Sequence, residues 1–180
     1  MTTPADVIRF WSDAGEDRWF RADPAFDESC RRAWRHVWED ARAGRLSTWE
    51  ETPEGALALV LLLDQMPRNM FRGTPETYAT DAAARGVAER AIARGFDARV
   101  PQQLKRFFHL PFMHGEDLAA QDRSLALAEA AGDPDGVKWA RHHRDIVVRF
   151  GRFPHRNAIL GRPSTPEEVA WMAEDGAFKG

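Results

Sequence analysis

Residues Thr52 to Asn69 read TPEGALALVLLLDQMPRN, and this stretch decides the fold. Thr52 is a capping residue. Pro53 takes the first helical position, where a missing N–H leaves nothing unpaired. From Ala56 to Leu63 every residue is apolar. A helix with no polar face is buried all round, at the centre of other helices. The apolar run Gly55 to Leu63 is also too short to cross a bilayer. It then meets Asp64, Gln65, Pro67, Arg68 and Asn69. A polar cluster is therefore expected where the buried helix ends, with Pro67 as its stop.

The same start signal recurs at Asp23-Pro24, Thr74-Pro75 and Thr165-Pro166, and Glu168 completes a capping box with Thr165. Helices are expected near 4–11, 24–43, 53–66, 75–94, 101–109, 116–131, 136–150 and 166–174. Gly44, Pro67, Gly95, Pro111, Gly132 and Gly151 are the stops. On 24–43, Phe26, Cys30, Ala33 or Trp34, Val37 and Ala41 keep helical spacing. No alternating run of β-branched residues predicts a strand. Short connections make successive helices antiparallel. The expectation is an all-α single domain, 1–180, of helical hairpins or an irregular bundle. No exact repeat of about 34 residues is present.

With 180 residues, 43% hydrophobic and 29% charged, the chain suits one soluble domain. The single Cys30 excludes an internal disulfide and fits a reducing compartment. No basic-then-apolar leader is read at the start. A cytoplasmic protein without membrane attachment is expected. The net charge of −3 argues against nucleic acid. Seven tryptophans call for deep packing or a ligand surface. Any left exposed would suit a homodimer.

Charge is uneven. Arg141 to Arg162, RHHRDIVVRFGRFPHRNAILGR, holds six arginines and three histidines against Asp145. The window is +5, which leaves −8 for the rest of the chain. The chain has only three lysines, so codon usage accounts for part of the arginine excess. Arginine grips planar anions bidentately, and histidine moves protons near neutral pH. Pro154 holds Phe153 extended, so Arg152, His155, Arg156 and Asn157 are presented on a turn beyond a helix end. Arg141, Asp145 and Arg149 read as an i, i+4 ladder, and His143 as a core residue on the face of Trp139, Ile146 and Phe150. A second polar segment runs from His109 to Asp117. Glu116 and Asp117 favour a helix dipole there, and His114 sits in a loop. Gln121 and Asp122 fall on a stripe that should be apolar.

Several of these segments also carry a resemblance. It begins with Phe10-Trp11, Trp19-Phe20 and Phe26-Asp27, then Leu62-Leu63-Asp64-Gln65 with Arg68-Asn69 and Arg72-Gly73. Pro111-Phe112-Met113-His114 with Glu116 and Gln121-Asp122 follow. Arg141-His142, Phe150-Gly151-Arg152-Phe153-Pro154-His155-Arg156-Asn157, Leu160-Gly161-Arg162 and Ser164-Thr165 complete it. Over nearly its whole length the chain resembles the mostly bacterial family catalogued as domain of unknown function 924. The resemblance implies an all-helical, tetratricopeptide-like fold and no established activity. Gly115 stands where the pattern usually has serine, and the tail Gly176 to Lys179 lacks the usual second phenylalanine.

Three functional readings follow. In the first, the chain binds an anionic small molecule, a carboxylate or phosphate. Arg152 and Arg156 would hold it with Arg68 or Arg162, beside Asn69, Arg72, Gln121, His142 and Asn157. His114 or His155 would be the general acid or base, oriented by Asp64 or Asp122. This reading requires three separated segments to meet in one pocket. In the second, helical hairpins offer a groove to an acidic peptide or a C-terminal carboxylate. The third is a metal site drawn from His114, Glu116, Asp117, His142 and His143, but their spacing fits no metal motif. No Gly-rich phosphate loop, GxSxG or reactive cysteine setting is present, and the sequence names no cofactor.

Overall fold

The computed structural model describes residues 2–174, so the departure read at Gly176 to Lys179 lies outside the described residues. Among the described residues every regular element is helical. The helices are α1 Pro4–Ala14, α2 Glu16–Trp19, α3 Pro24–Arg42, α4 Pro53–Val60, α5 Met66–Met70, α6 Asp81–Ala93, α7 Gln102–Lys105, α8 Leu110–Met113, α9 Leu118–Ala130, α10 Pro134–Phe150 and α11 Pro166–Met172. Short 3-10 turns lie at Ser47–Glu51, Pro75–Tyr78, Asp97–Arg99, Arg106–Phe108 and Pro154–Arg156. No described helix is long and apolar enough to cross a membrane.

The chain divides into two compact units. One runs to Arg72 and resumes over Glu76–Pro111. The other takes Gly73–Pro75 and the chain from Phe112 onward. In the first unit α4 is the core helix, and every residue from Gly55 to Val60 is buried. It packs against α1 and α6, while α3 packs against α5. The stripe read on α3 is buried, with Trp34 rather than Ala33 in it and with Asp27 and Trp38 added. Gly55 lets α4 press on the Ser47–Glu51 turn, since a Cβ there would lie 2.0 Å from the Trp49 carbonyl oxygen. In the second unit α9 and α10 form a hairpin. Ile146 and Val147 of α10 join Phe153 and Trp171 in its core.

The capping signals were well read at three of four starts. Asp23 accepts from the N–H groups of Ala25 and Phe26, Thr52 from Gly55, and Thr165 closes its box with Glu168. Thr74-Pro75 opens only a 3-10 turn, and α6 begins later, after Thr80. Two hydroxyls are diverted there: Thr77 donates to the Phe71 carbonyl and Thr80 to that of Leu63. Such side-chain bonds compete with a helical path.

Pro67 and Pro111 were read as stops, and the structure corrects both. Each lies in the first turn of a helical segment, Pro67 in α5 and Pro111 in α8. Ahead of Pro67 the backbone widens into a π turn over Leu61–Gln65, where the Met66 N–H donates to the Leu61 carbonyl. Pro67 has no N–H for the Leu63 carbonyl, and the Thr80 hydroxyl supplies the bond at 2.6 Å. The Trp38 indole N–H in turn donates to the Thr80 oxygen at 3.2 Å. The helix therefore bends its hydrogen bonding round the proline and continues.

Candidate functional site

The polar residues read from the sequence fall in both units. In the first unit the π turn buries Asp64 fully and Gln65 nearly so. The Gln65 amide donates to the Asp64 carboxylate. Arg68 makes a bidentate pair with Asp81, at 2.9 and 3.0 Å, and lies 3.5 Å from Asp64. It also donates to the Asp64 carbonyl, and its guanidinium lies over Tyr78. Burial works against its charge, but Asp64 and Asp81 outweigh burial and hold the guanidinium above its ordinary range. Arg72 grips Asp27 through two bonds of 2.9 and 3.2 Å, and Asn69 donates to the same carboxylate at 2.8 Å. Asp64, Arg68, Asn69 and Arg72 thus lie in ion-pair networks that tie α5 to α3 and to the start of α6. Asp27 entered the sequence reading only within the resemblance, with no role assigned, and Asp81 not at all.

In the second unit the residues after α10 form a strap held by two carboxylates. Glu116 accepts from the Phe153 N–H at 2.7 Å and takes a bidentate bond from Arg162 at 2.7 and 2.9 Å. Glu168 accepts from Arg152 at 2.6 and 2.8 Å, from Asn157 at 3.2 Å and from the Thr165 N–H at 2.7 Å. Asn157 is fully buried and bridges the two clamps, because its carbonyl oxygen accepts from Arg162 at 3.0 Å. Burial pushes Glu116 upward, but Arg162, the Phe153 N–H and Arg156 outweigh burial and leave it below the usual carboxylate range. The Arg152 bonds, with the Thr165 N–H and Asn157, hold Glu168 down at about 2. Arg152 and Arg162 therefore face acids of their own chain. Glu116 was read as a dipole residue, but it is a clamp. Its arginine is 46 residues away in sequence, and no local pattern announces that pairing.

Phe153 is the hub of the remaining polar residues. Its ring meets His143 edge-on at 5.6 Å and His155 at 5.7 Å, and the Arg156 guanidinium lies 4.7 Å over it. His143 in turn meets His142 at 5.8 Å and Trp139 at 6.3 Å. His143 is 7% exposed and Arg156 6%, whereas His142, His114 and His155 are half-buried. The His143 Nδ1 is 2.9 Å from the Trp139 carbonyl oxygen. With Nδ1 donating there, Nε2 keeps its lone pair. Burial first, then the charges of His114, His142 and Arg156, lower His143 to about 4 against the pull of that carbonyl. His143, read as core, is thus a buried neutral imidazole in the neighbourhood of Arg156, His114 and His142.

His114 lies on the turn that follows α8. Gln121 is fully buried on α9, and its amide donates to the carbonyls on either side of His114, Met113 at 2.8 Å and Gly115 at 2.7 Å. Asp122 is corrected. It is exposed and pairs with Arg144 at 2.6 Å. Adjacent helical residues point about 100° apart, so only one of Gln121 and Asp122 faces inward. The expected ladder is corrected too, since Arg141 pairs with Glu129 of α9 and Arg149 with Glu167 of α11. Among the described residues, no three of His, Cys, Asp or Glu are grouped to hold a metal ion.

The chain is similar to a solved structure of a protein of unknown function from Agrobacterium tumefaciens. The two share 49% identity and a TM-score of 0.92, over 96% of this chain and 97% of that one. No curated protein matches the chain significantly. A family model described as a bacterial protein of unknown function, DUF924, matches residues 7–176, and with the strap and clamp residues inside that match the chain belongs to this family.

Proposed function

We infer that the imidazole and guanidinium cluster around Phe153 binds a small anion, a carboxylate or phosphate. The observation that carries the reading is the grouping of His143, His155 and Arg156 on one buried ring, with His142 against His143. Cation-capable groups brought together at low exposure repel one another; Glu116, which feels Arg156, offsets part of that charge, and a bound anion would offset more. The anion would meet Arg156 as the fixed charge. His114, His142 and His155 would be its polar partners. His143, neutral at physiological pH, would stand beside the anion on the same ring. Arg152, Arg162 and Asn157 support the strap that carries His155 and Arg156, in place of the direct contacts expected of them. The low exposure of Arg156 favours a small ligand over an acidic peptide laid in an open groove.

The test is an imidazole NMR titration of the protein with inorganic phosphate and with acetate. Saturable shifts at His142 and His143 are expected, much weakened in Arg156→Gln. Imidazole signals that stay put with both anions would remove the reading.

A further inference from the structure

We propose that residues 17–24 form a two-fold interface with a second copy of this chain, in which each copy seats Phe20 in a hollow of the other. These residues lie in the first unit and share no member with the cluster around Phe153. Phe20 is 58% exposed, although its neighbour Trp19 is buried. A phenyl ring left in water gives up favourable burial, so its position calls for a reason. The ring is also held in place. It stacks on the fully buried Phe107 at 6.5 Å and meets Trp19 edge-on at 6.4 Å. The Trp19 indole N–H is itself tied to the Trp11 carbonyl at 2.7 Å. A ring fixed before contact loses little conformational freedom on docking.

The same connection, between α2 and α3, carries the hole for such a knob. A hollow of about 290 Å³ is lined by Asp17, Arg18, Arg21, Ala22, Asp23 and Pro24. A cavity of about 150 Å³ holds a benzene ring, so this one has room for a phenyl side chain. Ala22 and Pro24 give it an apolar wall, and guanidinium groups pack on aromatic faces. Phe20 is a chain neighbour of the lining and not part of it, which leaves its ring to another copy.

The charges of the lining complement themselves. Asp23 is engaged by the N–H groups of Ala25 and Phe26, and Arg18 lies 3.7 Å from its other oxygen. Among the described residues, Asp17 and Arg21 have neither a hydrogen bond nor an ion pair. A two-fold axis sets one residue against a second on the partner, and the second against the first. A cation and an anion left over on one patch therefore pair twice across the axis, Arg21 with the partner's Asp17 and the reverse. Phenylalanine and arginine are also among the side chains enriched at protein interfaces.

Sedimentation equilibrium between about 1 μM and about 1 mM tests it. The wild-type chain is expected to pass from monomer to dimer in this range. Phe20→Ala, Asp17→Arg and Arg21→Asp are each expected to weaken self-association roughly tenfold or more. All three positions are exposed, so the variants fold. An equimolar mixture of Asp17→Arg and Arg21→Asp is expected to regain the dimer, because both contacts then pair opposite charges. Wild-type protein that stays monomeric throughout would overturn the proposal. So would a dimer indifferent to Phe20→Ala or to either charge reversal, which would place the interface elsewhere. A mixture of the two reversals that associates no better than either alone would overturn it as well.

Discussion

Gln121 shows how a single side chain can be read for residue type and misread for role. Its place on an apolar stripe marks it in the sequence as an intruder. That it spans the two carbonyls flanking His114 depends on how the α8 turn folds back, which no spacing reveals. Gln121→Ala leaves both carbonyls without their donor and should cost ~2–3 kcal/mol in urea unfolding. The His114 imidazole resonances should broaden or move in the same variant. A variant of unchanged stability with an unmoved His114 signal would show that the amide does not hold the turn. Glu116→Gln makes a parallel case. It removes the charge that receives Arg162 and weakens the bond to the Phe153 N–H, so a loss of ~2 kcal/mol is expected. The arginines of this strap were legible as cations, but their acids were not. Charge is written locally, and pairing across tens of residues is decided by the fold.

Helix starts were the most legible elements, because a cap and a first-turn proline are local chemistry. Asp23, Thr52 and Thr165 work as caps for that reason. Proline was misread as a stop: the helix continues through Pro67, and Pro111 lies in the first turn of α8. The rescue of the Leu63 carbonyl comes from Thr80, on a different part of the chain. Gly55 lies in the stretch that decided the fold, yet the close approach it permits could not be seen there. Gly55→Ala would drive a methyl group into the Trp49 carbonyl, and either α4 or the Ser47–Glu51 turn must move. A loss of ~1–3 kcal/mol in thermal or urea unfolding is expected, despite the better helix propensity of alanine. An alanine variant at least as stable as the wild type would mean that the turn yields freely.

At the scale of the whole molecule, these groups set how stability follows pH. His143 binds its proton at about 4 in the fold and near 6.5 when unfolded. The unfolded chain therefore holds more protons between these values. The contribution is fully present above about pH 6.5 and is lost as pH falls toward 4, to a total of roughly 3 kcal/mol. Glu168 follows lower down, its contribution present above about 4.5 and lost as pH falls toward 2. Glu116, also lowered, acts in the same direction. Unfolding midpoints measured from pH 7 downward should fall in two overlapping stages. His143→Phe should flatten the first stage only. A first stage that persists in that variant would assign it to other groups. The all-helical class was legible at this scale because the pattern of caps, apolar runs and missing alternation repeats along the chain. The grouping around Phe153 was half-legible: its residues stood out by type, and its hub, an aromatic ring, did not.

The π turn at Leu61–Gln65 has a consequence for how this chain can change by insertion and deletion. Such a turn holds about one residue more than an α-helical turn. In-frame loss of one codon among Leu61, Leu62 and Leu63 would leave a run just as apolar and just as helical. The wide turn would close to an ordinary α-helical one, and Arg68, Asn69 and Arg72 would keep their register toward Asp81 and Asp27. A second loss would have no spare residue to draw on, and would rotate everything that follows by about 100° and draw it back by about 1.5 Å. The stretch between Thr52 and Arg68 thus tolerates being one residue shorter, and no more.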